Sequence, residues 1–224
     1  MRAMFRLTNL IALGAALAGC GGMVPGGRGE QTVRGPATAA IAVTPDAGRC
    51  LAKLGQAGTQ FTPVPDRYYG AGCSTVNTVN LSALQGDQER VSLANMGPVT
   101  CPTAELMAGW SRFGVDRAAR QILGSPLARI ETMGSYACRD VAGRGRRSAH
   151  ASAEAVDVAA FVLADGRRIS VLADWDGGGR AEREFLRVVH ASACKRFGTV
   201  LGPDYNAAHR DHLHLEKGDG SFCR

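Results

Sequence analysis

Two apolar segments joined by Asp165-Gly166 predict a β-hairpin in the second half of the chain. Residues 154–163 (EAVDVAAFVL) are rich in apolar and β-branched side chains, and residues 167–172 (RRISVL) form a second strand-like segment. An Asp-Gly pair between such segments favours a tight hairpin turn. Asp157 is therefore expected early in a buried strand.

Helical periodicity is clearest in residues 102–123 and 180–197. One face of the later segment carries Leu186, Val189, Ala193 and Phe197. One face of the earlier segment carries Leu106, Trp110 and Phe113. These apolar faces predict two core-packed helices, the earlier with Thr103 as a candidate N-cap. A shorter amphipathic helix is expected within residues 50–60.

The remaining pattern predicts short strands and a loop-rich region. Strand-like segments occur within residues 81–93 and 127–138, whereas residues 61–80 contain Pro63 and Pro65 and are expected to form mainly loops. The combined pattern predicts an α+β fold, in which helices pack on one face of a small antiparallel sheet.

The first 19 residues have the pattern of a bacterial export signal, with two arginines before a short apolar core. The segment ends in Leu-Ala-Gly before Cys20, which resembles a lipoprotein lipobox, so Cys20 is expected to be acylated. An ordinary signal beside a cysteine is the alternative. The glycines after Cys20 favour anchoring on the periplasmic face of an outer membrane. Residues 20–46, rich in Gly, Pro, Ala and Thr, are expected to form a flexible tether.

Residues 47–224 are expected to form one domain, because they show no internal repeat. Cleavage before Cys20 would remove Arg2 and Arg6 and no acidic residue, so the formal charge would fall from +6 to +4. This balance suits an acidic wall polymer, and no basic-aromatic pattern indicates nucleic-acid binding. A monomer is expected, with the lipid as its sole attachment to the membrane.

The other six cysteines are an even number in a chain expected to be exported, which predicts three disulfides. Six cysteines allow 15 pairings, so the sequence leaves the pairing open. The expected pairs are Cys50–Cys73, Cys101–Cys138 and Cys194–Cys223.

Histidines and carboxylates are concentrated in two distant segments, SAHASAEAVD and HRDHLHLE. The first contains His150 and Asp157, and the second contains His212 and His214 with Asp211 beside them. Side chains two residues apart on a strand point to one face, so the two later histidines can both face one metal, or one can face the metal and the other a reacting group. A polar strand face is the alternative for this pair. Two imidazoles and a carboxylate are a typical ligand set for a zinc ion with an open position.

The pattern SxHxxxxAxD followed by HxH resembles the metallopeptidase group of D-Ala-D-Ala dipeptidases, D,D-carboxypeptidases, murein endopeptidases and the Hedgehog domain. The matching residues are Ser148, His150, Ala155, Asp157, His212 and His214. From about residue 50 onward the chain resembles the bacterial extensin-like C-terminal domain family, through CLAKL, ACRD, HASAEAVDVAAF, ACKRF and LGPDYNAAHRDHLHLE. The wider resemblance implies one zinc ion held by His150, Asp157 and His214.

His212 is the favoured catalytic base, because it shares a strand face with His214, whereas Asp211 is the second candidate or an orienting partner of a ligand. The resemblance also implies substrate-side roles for Arg139, Ser148 and His209. Arg139 resembles an arginine that binds substrate or stabilises the oxyanion. A surface arginine and a loop histidine are the alternatives for Arg139 and His209.

The expected function is therefore that of a zinc peptidase which cleaves peptide stems or cross-links of peptidoglycan in the cell envelope. The alternative is a zinc-containing lipoprotein that binds peptidoglycan without turnover. The sequence leaves open which bond is cut and whether the reaction is of carboxypeptidase or endopeptidase type.

Overall fold

The computed structural model describes residues 44–142 and 144–224, so the predicted export signal, Cys20 and almost all of the predicted tether lie outside the described residues. The helices are α1 (Pro45–Gln56), α2 (Cys101–Trp110), α3 (Val171–Asp174) and α4 (Arg180–Cys194). The strands are β1 (Gln60–Val64), β2 (Arg67–Gly70), β3 (Cys73–Thr75), β4 (Thr78–Gln85), β5 (Arg90–Ala94), β6 (Pro98–Thr100), β7 (Leu127–Gly134), β8 (Ala155–Leu163), β9 (Arg168–Ser170), β10 (Thr199–Leu201), β11 (Leu213–Glu216) and β12 (Phe222–Cys223). Among the described residues, no helix has the length and apolar character needed to cross a membrane.

The fold is a mixed α+β arrangement around a ten-stranded sheet, which is larger than the small sheet predicted. Its main order is β1-β4-β5-β7-β8-β11-β10-β12, with β6 beside β4 and β9 beside β8. The sheet is also not purely antiparallel, because β5 pairs with β7 and β10 pairs with β12 in parallel. Several strands have only two to five residues, too short to show a clear alternation in the sequence.

The prediction of a loop-rich segment at residues 61–80 is wrong, because the segment contains most of β1, all of β2 and β3, and the start of β4. Pro63 lies inside β1, which among the described strands pairs with β4 alone, at one end of the sheet order. An edge strand tolerates proline because its outward side needs no ladder hydrogen bond. The hairpin of β2 and β3 forms a separate two-stranded sheet.

The predicted helix at 102–123 begins at Cys101 and changes geometry along its length. Thr100, and not Thr103, occupies the N-cap position. After Trp110 the backbone continues as π-helical segments at Ser111–Asp116 and Ala119–Leu123. A π-helix has more residues per turn than an α-helix. Phe113 therefore leaves the buried face of Trp110 and is 45% exposed.

The predicted hairpin and the late helix are confirmed. Strands β8 and β9 pair antiparallel on either side of Asp165-Gly166. The predicted apolar stripe is buried. Leu186, Val189 and Ala193 lie on α4, and Phe197 follows its C-terminal end. The indole Nε1 of Trp110 donates a hydrogen bond to the Val189 carbonyl at 3.1 Å, which fixes α4 against α2 beside the sheet.

Three disulfides are present, as predicted, but two of the expected pairs are wrong. The bonds are Cys50–Cys101, Cys73–Cys138 and Cys194–Cys223. Cys50 lies on α1, which packs against α2, so its nearest partner is Cys101. Cys73 bonds Cys138, and this disulfide joins the hairpin of β2 and β3 to the segment that carries Arg139.

Candidate metal centre

His150, Asp157 and His214 are brought together by a short turn and two adjacent strands. His150 lies in the 3₁₀ turn Ala149–Ser152, where the Ser148 hydroxyl accepts a hydrogen bond from the His150 backbone N–H at 3.4 Å. Asp157 on β8 is the direct antiparallel partner of His214 on β11. Opposite residues of an antiparallel pair share one face, so the sheet register itself aligns these two side chains.

The ligand atoms of this group have the separations expected around one zinc ion. His150 Nε2 lies 3.2 Å from His214 Nδ1 and 3.2 Å from Asp157 Oδ2, and His214 Nδ1 lies 2.9 Å from Asp157 Oδ1. Donors about 2.0–2.2 Å from a tetrahedral zinc would lie roughly 3.3 Å from one another. The group therefore fits zinc in both chemistry and spacing.

Hydrogen bonds on the far side of each imidazole select the tautomer that suits a metal. His150 Nδ1 lies 3.0 Å from the carbonyl of Ser135, which can only accept, so that nitrogen carries the proton. His214 Nε2 lies 3.2 Å from a Glu216 carboxylate oxygen and donates to it. In these neutral rings, His150 Nε2 and His214 Nδ1 have lone pairs that face the Asp157 carboxylate, which is also an acceptor. Because acceptors repel one another at this distance, a cation is needed between them.

Without a metal, protons supply this positive charge, as the pKa shifts of Asp157 and His214 indicate. Burial favours a higher pKa for Asp157, but hydrogen bonds from His150 and His214 outweigh it and hold the pKa well below its usual range. Burial favours a lower pKa for His214, but Asp157 and Glu216 raise it to about 9. His214 is therefore a cation at neutral pH whenever no metal replaces its proton.

We expect the zinc affinity of the metal-free protein to rise about tenfold per pH unit between pH 7 and 9. A proton on His214 competes with the metal, so affinity falls as pH falls below a pKa of about 9 and levels off above it. Titration against a chromophoric chelator, corrected for the chelator's own protonation, measures this slope. In Glu216→Gln the plateau should begin at lower pH, and a flat profile in the wild type would contradict the assignment.

His212 and Asp211, weighed as rivals in the sequence, form one hydrogen-bonded pair. His212 Nδ1 lies 2.8 Å from Asp211 Oδ1, so it donates its proton to that carboxylate. His212 Nε2 lies 3.6 Å from Asp157 Oδ1 at the edge of the group. Asp211 thereby fixes the ring of His212, whose free nitrogen faces the candidate ligands.

His214 is the member of this group that lines a cleft of about 680 Å³, and His150 and Asp157 are not among the lining residues. His212 and His214 line it, as do Arg139, Ser148 and His209, the three residues with predicted substrate-side roles. Burial and the nearby charges of His212 and His214 lower the pKa of His209 to about 4, so its ring is neutral at pH 7.

Sequence reasoning missed Glu216 and the Ser135 carbonyl, which orient the candidate ligands. The alternation of HLHLE places Glu216 on the face of His212 and His214, so period two was the available signal. No side-chain pattern marks a backbone carbonyl. A second cluster, His190 with Cys194 and Cys223, is a poor metal site because the disulfide engages both sulfurs. His190 Nε2 lies 3.2 Å from the Arg224 carbonyl, a contact within the fold.

Comparison with known proteins places residues 48–224 in a single family model, described as the C-terminus of extensin-like proteins. A search of curated proteins and a search of solved structures each returned no match. The matched range includes His150, Asp157 and His214, the His212–Asp211 pair and all three disulfides. The chain therefore belongs to the extensin-like protein C-terminal family.

Proposed function

We propose that the protein is a zinc-dependent peptidase that hydrolyses peptide stems or cross-links of peptidoglycan. The observation that carries the proposal is the convergence of His150 Nε2, Asp157 and His214 Nδ1 at separations of 2.9–3.2 Å beside an open cleft. Three protein ligands with room for a water are the catalytic form of a zinc site. The peptidoglycan substrate rests on the resemblance of SxHxxxxAxD and HxH to the peptidase group.

Zinc bound there would lower the pKa of a water and polarise the scissile carbonyl. His212 Nε2 would accept a proton from the attacking water. It would then pass this proton to the leaving amine, so that water is added across the C–N bond. The Asp211 carboxylate would stabilise the imidazolium that forms. Both residues would therefore take part in one proton transfer, His212 as the base and Asp211 as the group that stabilises it.

The cleft has the size and lining for a peptide segment. Its volume of about 680 Å³ falls within the usual range for ligand sites. On its wall, Arg139 is an exposed cation that would bind the substrate or stabilise the negative charge developing on the carbonyl oxygen. Ser148 lines the same cleft, although its hydroxyl also holds the turn of His150.

Digestion of defined muropeptides tests the proposal. Zinc-loaded mature protein should release two products whose masses together equal the substrate plus one water, as measured by mass spectrometry. Chelation should stop release and added zinc should restore it. Retention of zinc without product from any muropeptide would reject the peptidase and favour the non-catalytic peptidoglycan-binding lipoprotein.

The proposed site of action is the cell envelope, with Cys20 as a lipid anchor on the periplasmic face of the outer membrane. This part rests on the lipobox-like sequence before Cys20. Fatty-acid labelling of the wild-type chain and of Cys20→Ser tests it, and equal labelling of both would reject the anchor.

A further inference from the structure

One wall of the cleft is formed by residues 139–142 and 144–148, here called the arginine loop. Three of its side chains, Arg139, Arg144 and Arg146, line the cleft with His209, His212 and His214. Backbone hydrogen bonds close the loop, with Ser148 N donating to the Arg139 carbonyl at 3.1 Å and Val141 N to the Arg146 carbonyl at 2.8 Å. These bonds hold the three arginines on one short segment beside the candidate metal ligands.

The neighbouring Arg147 shows what a structural arginine in this loop does. Its guanidinium bonds Asp140 at 2.7 Å and also contacts the Ala71 carbonyl of the adjacent hairpin. By contrast, no carboxylate in the described part of the chain lies within ion-pair distance of Arg139, Arg144 or Arg146. All three are exposed, so their planar donor groups are available to an external carboxylate.

The charge of the cleft is strongly one-sided. Among its described lining residues only Glu216 carries a carboxylate, and that group already accepts from His214 Nε2 at 3.2 Å.

We propose that the arginine loop binds carboxylates of the substrate, so that the preferred substrate is a peptide with two or more carboxylates close to the bond that is cut. Three cations on one wall can engage a side-chain carboxylate and a C-terminal carboxylate together, and planar guanidinium groups match both. The inference rests on the proposed function for its scissile bond, but the binding step itself requires no hydrolysis.

Four matched peptides separate the two sources of carboxylate. The parent has five residues, one glutamate and a free C-terminus after two D-alanines. The others carry glutamine for glutamate, an amide at the C-terminus, or both changes. Binding is measured by calorimetry on zinc-loaded His212→Ala protein, which is expected to leave the peptides intact. The parent should bind about tenfold more tightly than the doubly neutralised peptide, and added salt should reduce the difference.

Single substitutions Arg139→Gln, Arg144→Gln and Arg146→Gln should each weaken binding of the parent about three- to tenfold, while the doubly neutralised peptide is little affected. Arg90→Gln, an exposed arginine outside the cleft lining, is the matched control and should change neither affinity. Circular dichroism confirms that each variant is folded.

Equal affinity for all four peptides, no binding of the parent, or the same loss in Arg90→Gln would overturn the proposal. The wild type then separates this inference from the proposed function. Arginine-dependent binding without any product would leave the carboxylate site standing and reject the peptidase. Equal hydrolysis of all four peptides would support the peptidase and reject the carboxylate site.

Discussion

His212→Ala should retain about one zinc per chain while its turnover of muropeptides falls about 10²–10⁴-fold, the usual contribution of a general base. His212 Nε2 lies 3.6 Å from Asp157 Oδ1, whereas each pair among His150 Nε2, His214 Nδ1 and the Asp157 carboxylate has a contact of 2.9–3.2 Å. His212 therefore lies beside the three candidate ligands, and zinc binding should not require it. Metal analysis and product release are measured on the same preparation.

Asp211→Asn is the matched control for this expectation. The amide keeps the shape of the carboxylate but weakens its support of a charged His212, so the loss of turnover should be smaller than in His212→Ala. A large loss in Asp211→Asn with a nearly silent His212→Ala would make Asp211 the base. Loss of zinc from His212→Ala would instead make His212 a ligand.

His150→Ala, Asp157→Asn and His214→Ala should each lose zinc and reduce turnover to the level of the chelated wild type. Each variant removes one of three protein ligands, and Asp157→Asn does so with almost no change in shape. Zinc content after dialysis against a weak chelator measures the effect.

Glu216→Gln is the control that separates a ligand from its orienting partner. It keeps all three ligands but weakens the bond to His214 Nε2, so zinc affinity should fall roughly 10–100-fold without being abolished. Full zinc retention by all three ligand variants would reject the metal centre. Equal loss in Glu216→Gln and His214→Ala would show that Glu216 itself holds the metal.

The sequence was most informative where a regular pattern coincided with a packed face. A run of apolar and β-branched residues before Asp165-Gly166 predicted the strand of Asp157, and period 3.6 predicted the buried stripe of α4. Phe113 could not be placed, because the change to π-helical geometry after Trp110 depends on tertiary packing. The pairing of Cys50 with Cys101 follows from contact between two distant helices, which spacing along the chain does not reveal.

The candidate site divides in the same way. The HxH alternation and the family resemblance identified the side chains that converge, but the hydrogen bond between Asp211 and His212 depends on how the residues before β11 leave the strand. Glu216 lies on the same alternating face of HLHLE and was therefore predictable from the sequence. The arginine loop was not predictable as a cleft wall, because its position is set by packing against a hairpin in a segment expected to be loops.

Strand β11 follows β10 in the chain but lies between β8 and β10 in the sheet. Asp157 therefore meets His214 only when β11 has paired with β8. Pairing of β11 with β8 and assembly of the candidate ligand group are consequently one step. A chain in which β11 has not paired with β8 lacks His214 beside Asp157, and so it has no complete candidate ligand set.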